Sequence, residues 1–471
     1  MENLFYGMDI KSTRRRRRRR KGPVLLILLL LAVGIGFGVY FIVNKINENK
    51  IDDNDNEITK TAEADPDSNS AWQIEEDPNN PNGDEFTAKW TNRDESLDGN
   101  GSDEVYGLWT QPKATEAPEA TQNPDDEEEV WMGDFVDTRE RIKAKGIYVS
   151  SAYINKKLDD AIALIDKTEL NAIIIDIKSD AGYITYRMDY DVAKEIGACT
   201  STINDINATI KKLKDHGIYT IARIVTLKDP VLADKKRDLA LKNKDGSLFR
   251  DSSGLAWVNP YEDEVWDYLI EVCNQCVEVG FDEVNLDYIR FSTDKGMSNV
   301  DFGPKAEEMT RIEVITDGIR RICEEIKPKG VFVSCDVYGA IISSSVDARI
   351  VGQSYFNMAK YLDYICPMVY PSHYGNGYYG LDYPDTHPYE LVYNALMDSQ
   401  KVLYMLDPEE NKAEVRPWLQ DFTATWVSHH LKYGKTEVRD EIRAVYDAGY
   451  SQWFLWNAGV IYTEDALEKT S

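Results

Sequence analysis

Histidine is scarce in this chain of 471 residues: there are five. Only His429 and His430 are neighbours, which leaves no zinc-ligand spacing and counts against a metal-dependent esterase or deacetylase. No metal and no cofactor is therefore expected. The six cysteines are too few for a disulfide-stapled scaffold. Cys273-x-x-Cys276 falls inside a predicted helix with no second pair, so it reads as two thiols of the domain or part of a single disulfide, not as a zinc or redox motif. Positive charge is also short. The 54 Lys+Arg against 82 Asp+Glu leave a formal net charge of −28, which argues against a general nucleic-acid binder.

The charge is unevenly spread. Residues 1–43 hold nine bases, including Arg14 to Arg20, against two acids, a net of +7. Residues 44–140 hold 28 acids and seven bases, a net of −21, and residues 141–471 carry the remaining −14. Pro23 to Val43 has no charged residue over a length that spans about 31 Å as a helix, matching a bilayer core. The expected organisation is a cytoplasmic basic tail (1–22), a transmembrane helix (23–43), an acidic, mostly disordered linker (44–140) and a globular domain (141–471). The arginine run before the apolar segment predicts a single-pass protein of the cell membrane, with its N-terminus in the cytoplasm and the globular domain outside. The linker's Trp72, Trp90, Trp109 and Trp131 read as isolated aromatics in a stalk or as small docking anchors.

From about Arg141 short apolar runs alternate with helical stretches. The runs are Gly146–Ser150, Ala172–Lys178, Tyr219–Thr226, Phe281–Arg290, Val331–Tyr338, Tyr364–Tyr370, Val415–Phe422 and Gln452–Asn457. Between them lie candidate helices such as 157–166, 203–216, 262–279, 306–326, 389–405 and 438–448. Eight strands alternating with helices predict an α/β fold, a (β/α)8 barrel. A doubly wound open sheet is the competitor, but the Gly146 strand leads into Ser151-Ala-Tyr-Ile-Asn with no glycine-rich phosphate loop.

A barrel fixes parity: side chains alternate between interior and helix layer, and ligands bind at the C-terminal strand ends. With Val284 and Leu286 in the helix layer, Glu283, Asn285 and Asp287 point inward. With Val331, Val333 and Cys335 in the helix layer, Ser334 and Asp336 point inward. Asp176 and Lys178 are expected on one face, and Arg416, Trp418 and Gln420 on one face. Several strands thus end in a polar group on the same rim. That is a candidate site, or a plug of salt bridges such as Lys178 or Arg290 with Asp176 or Asp287.

The domain resembles a bacterial family of glycoside hydrolases with a TIM-barrel domain. The likeness rests on Gly146-Ile-Tyr-Val-Ser with Asn171-Ala-Ile-Ile-Ile-Asp-Ile-Lys, Phe281-Asp-Glu-Val-Asn-Leu-Asp-Tyr-Ile-Arg-Phe291 and Ser334-Cys-Asp-Val-Tyr-Gly339. It extends through Pro367-Met-Val-Tyr-Pro-Ser-His-Tyr374, His387-Pro-Tyr-Glu390, Arg416-Pro-Trp-Leu-Gln-Asp-Phe422 and Trp453-Phe-Leu-Trp-Asn457. More loosely, strand four looks like that of alpha-amylase-type enzymes, whose nucleophilic aspartate would fall at Asp287. The arginine such enzymes carry two residues earlier is Asn285 here. A chitinase-type glutamate would fall at Ile289, which counts against that mechanism.

The resemblance implies hydrolysis of an O-glycosyl bond in a polysaccharide or oligosaccharide of the envelope or surroundings. Such chemistry usually needs two carboxyl groups, one protonated and one ionised. Asp287 and Asp336 end neighbouring strands about 4.8 Å apart, which suits the ~5–5.5 Å of a retaining pair. Asp287 is the expected nucleophile and Asp336 the acid/base, with Asp176 or Asp421 as the alternative acid. Expected substrate-binding residues are Asp176, Lys178, Arg290, Tyr370, His373, Tyr374, Trp418, Gln420, Asp421, Trp456 and Asn457. Of Trp453 and Trp456, which lie on opposite strand faces, one belongs to the core. The rival reading is a carbohydrate-binding or envelope-assembly protein that has lost turnover.

Overall fold

The structure, a computed structural model, describes residues 135–470 apart from residue 409. The basic tail, the 23–43 segment and the linker tryptophans lie outside the described residues. Among the described residues no helix is long and apolar enough to cross a membrane.

The strands are β1 (Lys145–Val149), β2 (Ala172–Lys178), β3 (Tyr219–Val225), β4 (Lys242–Asn243), β5 (Glu283–Asp287) and β6 (Val300–Asp301). They continue as β7 (Phe332–Tyr338), β8 (Tyr364–Met368), β9 (Glu414–Val415), β10 (Trp418–Gln420) and β11 (Trp453–Trp456). β4 and β6 form a small antiparallel ribbon. The others make one parallel sheet that runs β1-β2-β3-β5-β7-β8 and closes through β10 and β11 back to β1. This is the eight-stranded barrel that the apolar runs predict. The seventh strand comes in two pieces. β9 pairs with β8, then Pro417, which has no N–H to give, interrupts the ladder before β10 resumes it at Trp418 opposite Met368.

Helices Ser151–Asp166, Ile206–Asp215, Asp263–Val279, Arg311–Ile326, Pro388–Tyr404 and Lys435–Asp447 fall between the barrel strands. Local chemistry sets their ends. Thr310 and Glu313 form a reciprocal capping box at the start of Arg311–Ile326. Gly280, at φ +95°, ends Asp263–Val279 in a left-handed cap. A Cβ on Gly318 would lie 2.3 Å from the Trp266 ring, so these two helices meet where only glycine fits.

Val284, Leu286, Val333 and Cys335 are fully buried, and Cys335 lies close to Cys323 and Cys273 of the helix layer, as parity requires. All six cysteines are free, so the disulfide considered for them does not form. Burial pushes the Cys323 thiol up to about 12, which keeps it protonated and inert.

The barrel floor is ionic. Arg416 Nη1 donates to both Glu283 oxygens, at 3.0 and 2.9 Å, and both side chains are sealed from solvent. Tyr219 and Ser334 hydroxyls donate to the same carboxylate, and the guanidinium lies 3.7 Å from the centre of the Tyr364 ring. A salt-bridge plug therefore exists, built from Glu283 and Arg416 instead of Lys178, Arg290, Asp176 and Asp287. Below it, Asp363 receives Arg139, at 2.7 Å, and Arg141. The barrel's packing thus starts within the stretch that composition assigns to the linker.

Breaking the plug strands a sealed charge. Arg416→Met is expected to destabilise the protein by about 3–5 kcal/mol in urea unfolding, and adding Glu283→Gln is expected to recover part of that loss.

Candidate active site

At the C-terminal mouth the central group is Arg223, near the end of β3, which sequence reading missed. Register places it opposite Asp176 of β2 and Asn285 of β5. Its Nε and Nη2 donate to Asp287 Oδ2 at 2.8 and 2.6 Å, and its Nη1 donates to Asp176 Oδ1 at 2.7 Å. Asp180 sits 3.4 Å from Nη2. The Tyr148 hydroxyl closes the group by donating to Asp176 Oδ2. A signal was available: Arg223 is the one charged residue in the run Tyr219-Thr-Ile-Ala-Arg-Ile-Val225, and a charge inside such a strand must be paired or functional.

Asp287 ends β5. Its Oδ1 accepts from the Tyr288 backbone N–H at 2.6 Å. Tyr288 holds φ at +50°, a conformation that costs a bulky residue about 1–3 kcal/mol, and this sharp exit from the strand turns its N–H back onto the carboxylate. Asp287 thus takes three hydrogen bonds, two of them from a cation. Asp336, one strand over, meets a different environment. Its Oδ1 accepts from Asn285 Nδ2 at 2.9 Å and from the Trp418 indole at 2.7 Å. Burial first, and then the neighbouring Asp287 charge, push its carboxyl well above the usual carboxylate range. The last recorded rung between these strands pairs Leu286 with Cys335, so the next sets Asp287 against Asp336. Two carboxyl groups therefore sit side by side, one ion-paired and one favouring its proton, which is the division of labour in general acid-assisted substitution.

Exposure separates this group from the floor. The Asp287 and Asp176 side chains keep 12% and 10% of their surface, and Asp180 keeps 36%, against zero for Glu283 and Arg416. The upper ion pairs face the mouth, and the lower one is sealed.

A family model described as "Putative glycosyl hydrolase domain" matches residues 146–462. The chain belongs to that family. The matched span takes in every barrel strand from Gly146 of β1 onward, together with Arg223, Asp287 and Asp336, and it bears out the glycoside hydrolase resemblance. Among solved structures, the glycoside hydrolase domain of PgaB (BpsB) from Bordetella bronchiseptica is similar at TM-score 0.52 and 12% identity, covering 70% of this chain and 100% of that one. At that identity the likeness is one of fold. A hypothetical protein from Ruminiclostridium thermocellum is 35% identical over 41% of this chain and 97% of its own, at TM-score 0.38. The spore cortex-lytic enzyme SleL from Bacillus cereus covers 69% of this chain and 73% of its own, with 11% identity and a TM-score of 0.40. No curated protein matches the chain.

The remaining predicted site residues divide. Trp456 stands at the mouth: its ring lies 4.3 Å from Tyr148 and 5.9 Å from the Arg223 guanidinium. Trp453 is the core member of that pair, fully buried, with its indole donating to the Tyr446 hydroxyl. Trp418 shares the interior face with Arg416 as predicted, and Gln420 accepts from Ser372 Oγ at 2.7 Å. His373 bonds the same serine, and burial lowers its imidazole to about 4, so it is neutral at neutral pH. Tyr370 packs against His373, and burial, then the Asp336 and Asp287 charges, push its hydroxyl far up.

Several expected contacts go elsewhere. A register shift between Asp176 and Lys178 breaks the alternation of β2. Lys178 is sealed in the wall instead, donating to the Val225 carbonyl at 2.6 Å and pairing with Asp229 at 2.9 Å. Arg290 is buried against the rings of Trp257, Tyr288 and Tyr338, at 5.3, 4.9 and 4.6 Å, and makes no ion pair with Asp287. Tyr374 is buried against Gly339, where a Cβ would lie 2.1 Å from its hydroxyl. Asp421 accepts from the Thr463 hydroxyl and N–H at 2.6 and 2.8 Å, and Asn457 Nδ2 donates to the Asp421 carbonyl. These bonds tie the 457–463 segment to Asp421 at the end of the barrel strand β10.

Burial raises the Asp421 carboxyl to about 6. The folded state therefore holds a proton that the unfolded state gives up near its ordinary value. Stability from this group is full below about pH 4 and falls as pH rises toward 6. Measured by urea unfolding, the stability of wild type relative to Asp421→Asn is expected to drop by up to about 3 kcal/mol between pH 4 and pH 7.

Proposed function

We propose that the protein is a membrane-anchored glycoside hydrolase whose barrel works outside the cytoplasm on a polysaccharide of the cell envelope or surroundings, through a retaining double displacement. The observation that carries the mechanism is the asymmetry between adjacent carboxyl groups: Asp287 bonded by Arg223 and the Tyr288 N–H, Asp336 pushed toward its protonated form beside it. Neighbouring parallel strands are about 4.8 Å apart, closer to the ~5–5.5 Å of retaining pairs than to the ~6.5–9.5 Å of inverting ones.

In the first step Asp336 gives its proton to the leaving oxygen while Asp287 attacks the anomeric carbon. The C–O bond to the leaving group breaks and an ester to Asp287 forms. In the second step Asp336, now ionised, takes a proton from water, whose oxygen displaces Asp287 and returns both groups to their starting states. Arg223 holds Asp287 in position. Asn285 and the Trp418 indole hold Asp336 through one oxygen, leaving Oδ2 for the proton. The arginine that amylase-type enzymes place on the nucleophile's own strand is supplied here from the strand beside it, at the same rung.

The anchor is read from Arg14–Arg20 followed by the uncharged run Pro23–Val43. A tether keeps the enzyme at the surface, which favours a wall or surface polymer over a diffusible nutrient. Alkaline carbonate washing is expected to leave the full chain in the membrane fraction and to release a chain lacking residues 1–43.

The deciding assay incubates the full chain in mild detergent with bacterial cell-wall and plant polysaccharides and reads new reducing ends. Wild type is expected to release them. Asp287→Asn should abolish release, and Asp336→Asn should lower kcat/KM by about 10²–10⁴-fold. Wild-type activity should fall as pH rises through the raised Asp336 value, because only the protonated acid works, and Asp336→Asn should lose that limb. Saturable glycan binding without release, unchanged by Asp287→Asn, would favour the assembly or binding role.

A further inference from the structure

Tyr370, which feels the Asp336 and Asp287 charges, starts a run of rings that reaches the surface. Its ring lies 5.1 Å from His373 and 6.0 Å from Phe422, and Phe422 stacks on Trp426 at 5.8 Å with 21° between planes. Trp426 ends the run and is 49% exposed. Three residues further along the chain from Trp426, His429 stacks on Tyr383 at 3.7 Å and 18°, and both are exposed.

An exposed ring by itself needs no explanation. Two further observations change that here. The run is continuous from Tyr370 to Trp426, and the two loops that carry it are locked. Asp385, in the loop after β8, accepts from Gln420 Nε2 at 3.0 Å and from the Leu431 N–H at 3.2 Å, which ties it to the loop after β10. The Tyr433 N–H donates to Thr423 Oγ1 at 3.1 Å within that second loop. Trp426 is thus presented on a fixed support, stacked on Phe422 and with about half of its surface exposed.

We propose that Trp426, backed by Phe422, is a distal stacking platform for a sugar ring of the same glycan chain whose scissile bond lies at Asp287 and Asp336. This inference rests on the hydrolase reading and extends it. It makes the substrate a polymer with an exposed apolar pyranose face, held beyond the point of cleavage. An indole offers a broad, flat apolar face that matches the C–H face of a pyranose, and the ordered loops have little entropy left to lose on binding.

The test is electrophoresis of the full chain, in mild detergent, through gels containing glycol chitin, xylan, galactan or carboxymethylcellulose. At least one glycan is expected to retard wild type and Asp287→Asn alike. Trp426→Ala should weaken that retardation about three- to tenfold, Trp426→Tyr should restore most of it, and Tyr404→Ala, an exposed tyrosine at a helix C-terminus, should change nothing. With the retarding polymer as substrate, Trp426→Ala should raise KM and leave kcat unchanged. Equal retardation of wild type and Trp426→Ala, or no retardation of wild type by any of the four glycans, overturns the platform. Failure of the hydrolase reading shows separately, as absence of new reducing ends from a glycan that still binds through Trp426.

Discussion

A guanidinium buried among carboxylates at the mouth of a parallel barrel is the interaction on which the arrangement of the site depends. Removing an arginine from water costs several kcal/mol, and that cost is met only when close, well-directed anions surround it. Asp287 and Asp176 supply two such anions at hydrogen-bond distance, and Asp180 a third nearby. Arg223 in return fixes the ends of β2, β3 and β5 relative to one another. It also splits the chemistry of two neighbouring acids. Asp287 has a cation on it, whereas Asp336 has neutral donors, and burial and then the Asp287 charge push the Asp336 carboxyl up.

The barrel contains two arginine–carboxylate systems at different heights, and solvent access gives them different roles. Arg416 and Glu283 are closed off by Tyr219, Tyr364 and Ser334 and form a permanent floor. Arg223 and its partners keep part of their surface at the opposite end, where the loops gather. The floor needs no ligand, because its charges already neutralise each other. The upper group sets an ion pair beside a carboxyl that burial and the Asp287 charge push well above the usual carboxylate range. Arg223, Asp287 and Asp336 stand on β3, β5 and β7, inside the span that the family model matches.

The loops around that group are tied to the strand ends. The 457–463 segment is pinned beside β1 by Asp421 and by the Tyr462 hydroxyl, which donates to the Tyr148 carbonyl at 2.6 Å. On the opposite side of β10, Gln420 and Asp385 lock the loops after β8 and β10 together. Polar side chains at the strand ends thus also act on the chain itself, as Asp421, Asn457 and Gln420 do.

Eight apolar runs, spaced by helical stretches, determined the barrel, because strand and helix periodicities are local properties of the sequence. Parity within β5 and β7 likewise determined that Asp287 and Asp336 face inward, since alternation needs only the strand itself. Tertiary structure decided the rest. A register shift in β2, invisible in Ala172–Lys178 alone, removed Lys178 from the face it would share with Asp176. Which cation meets which anion was settled across strands: Arg223 is 64 residues from Asp287, and Arg416 is 133 from Glu283. Charge pairing is a matter of distance in space, and a sequence carries distance only along the chain.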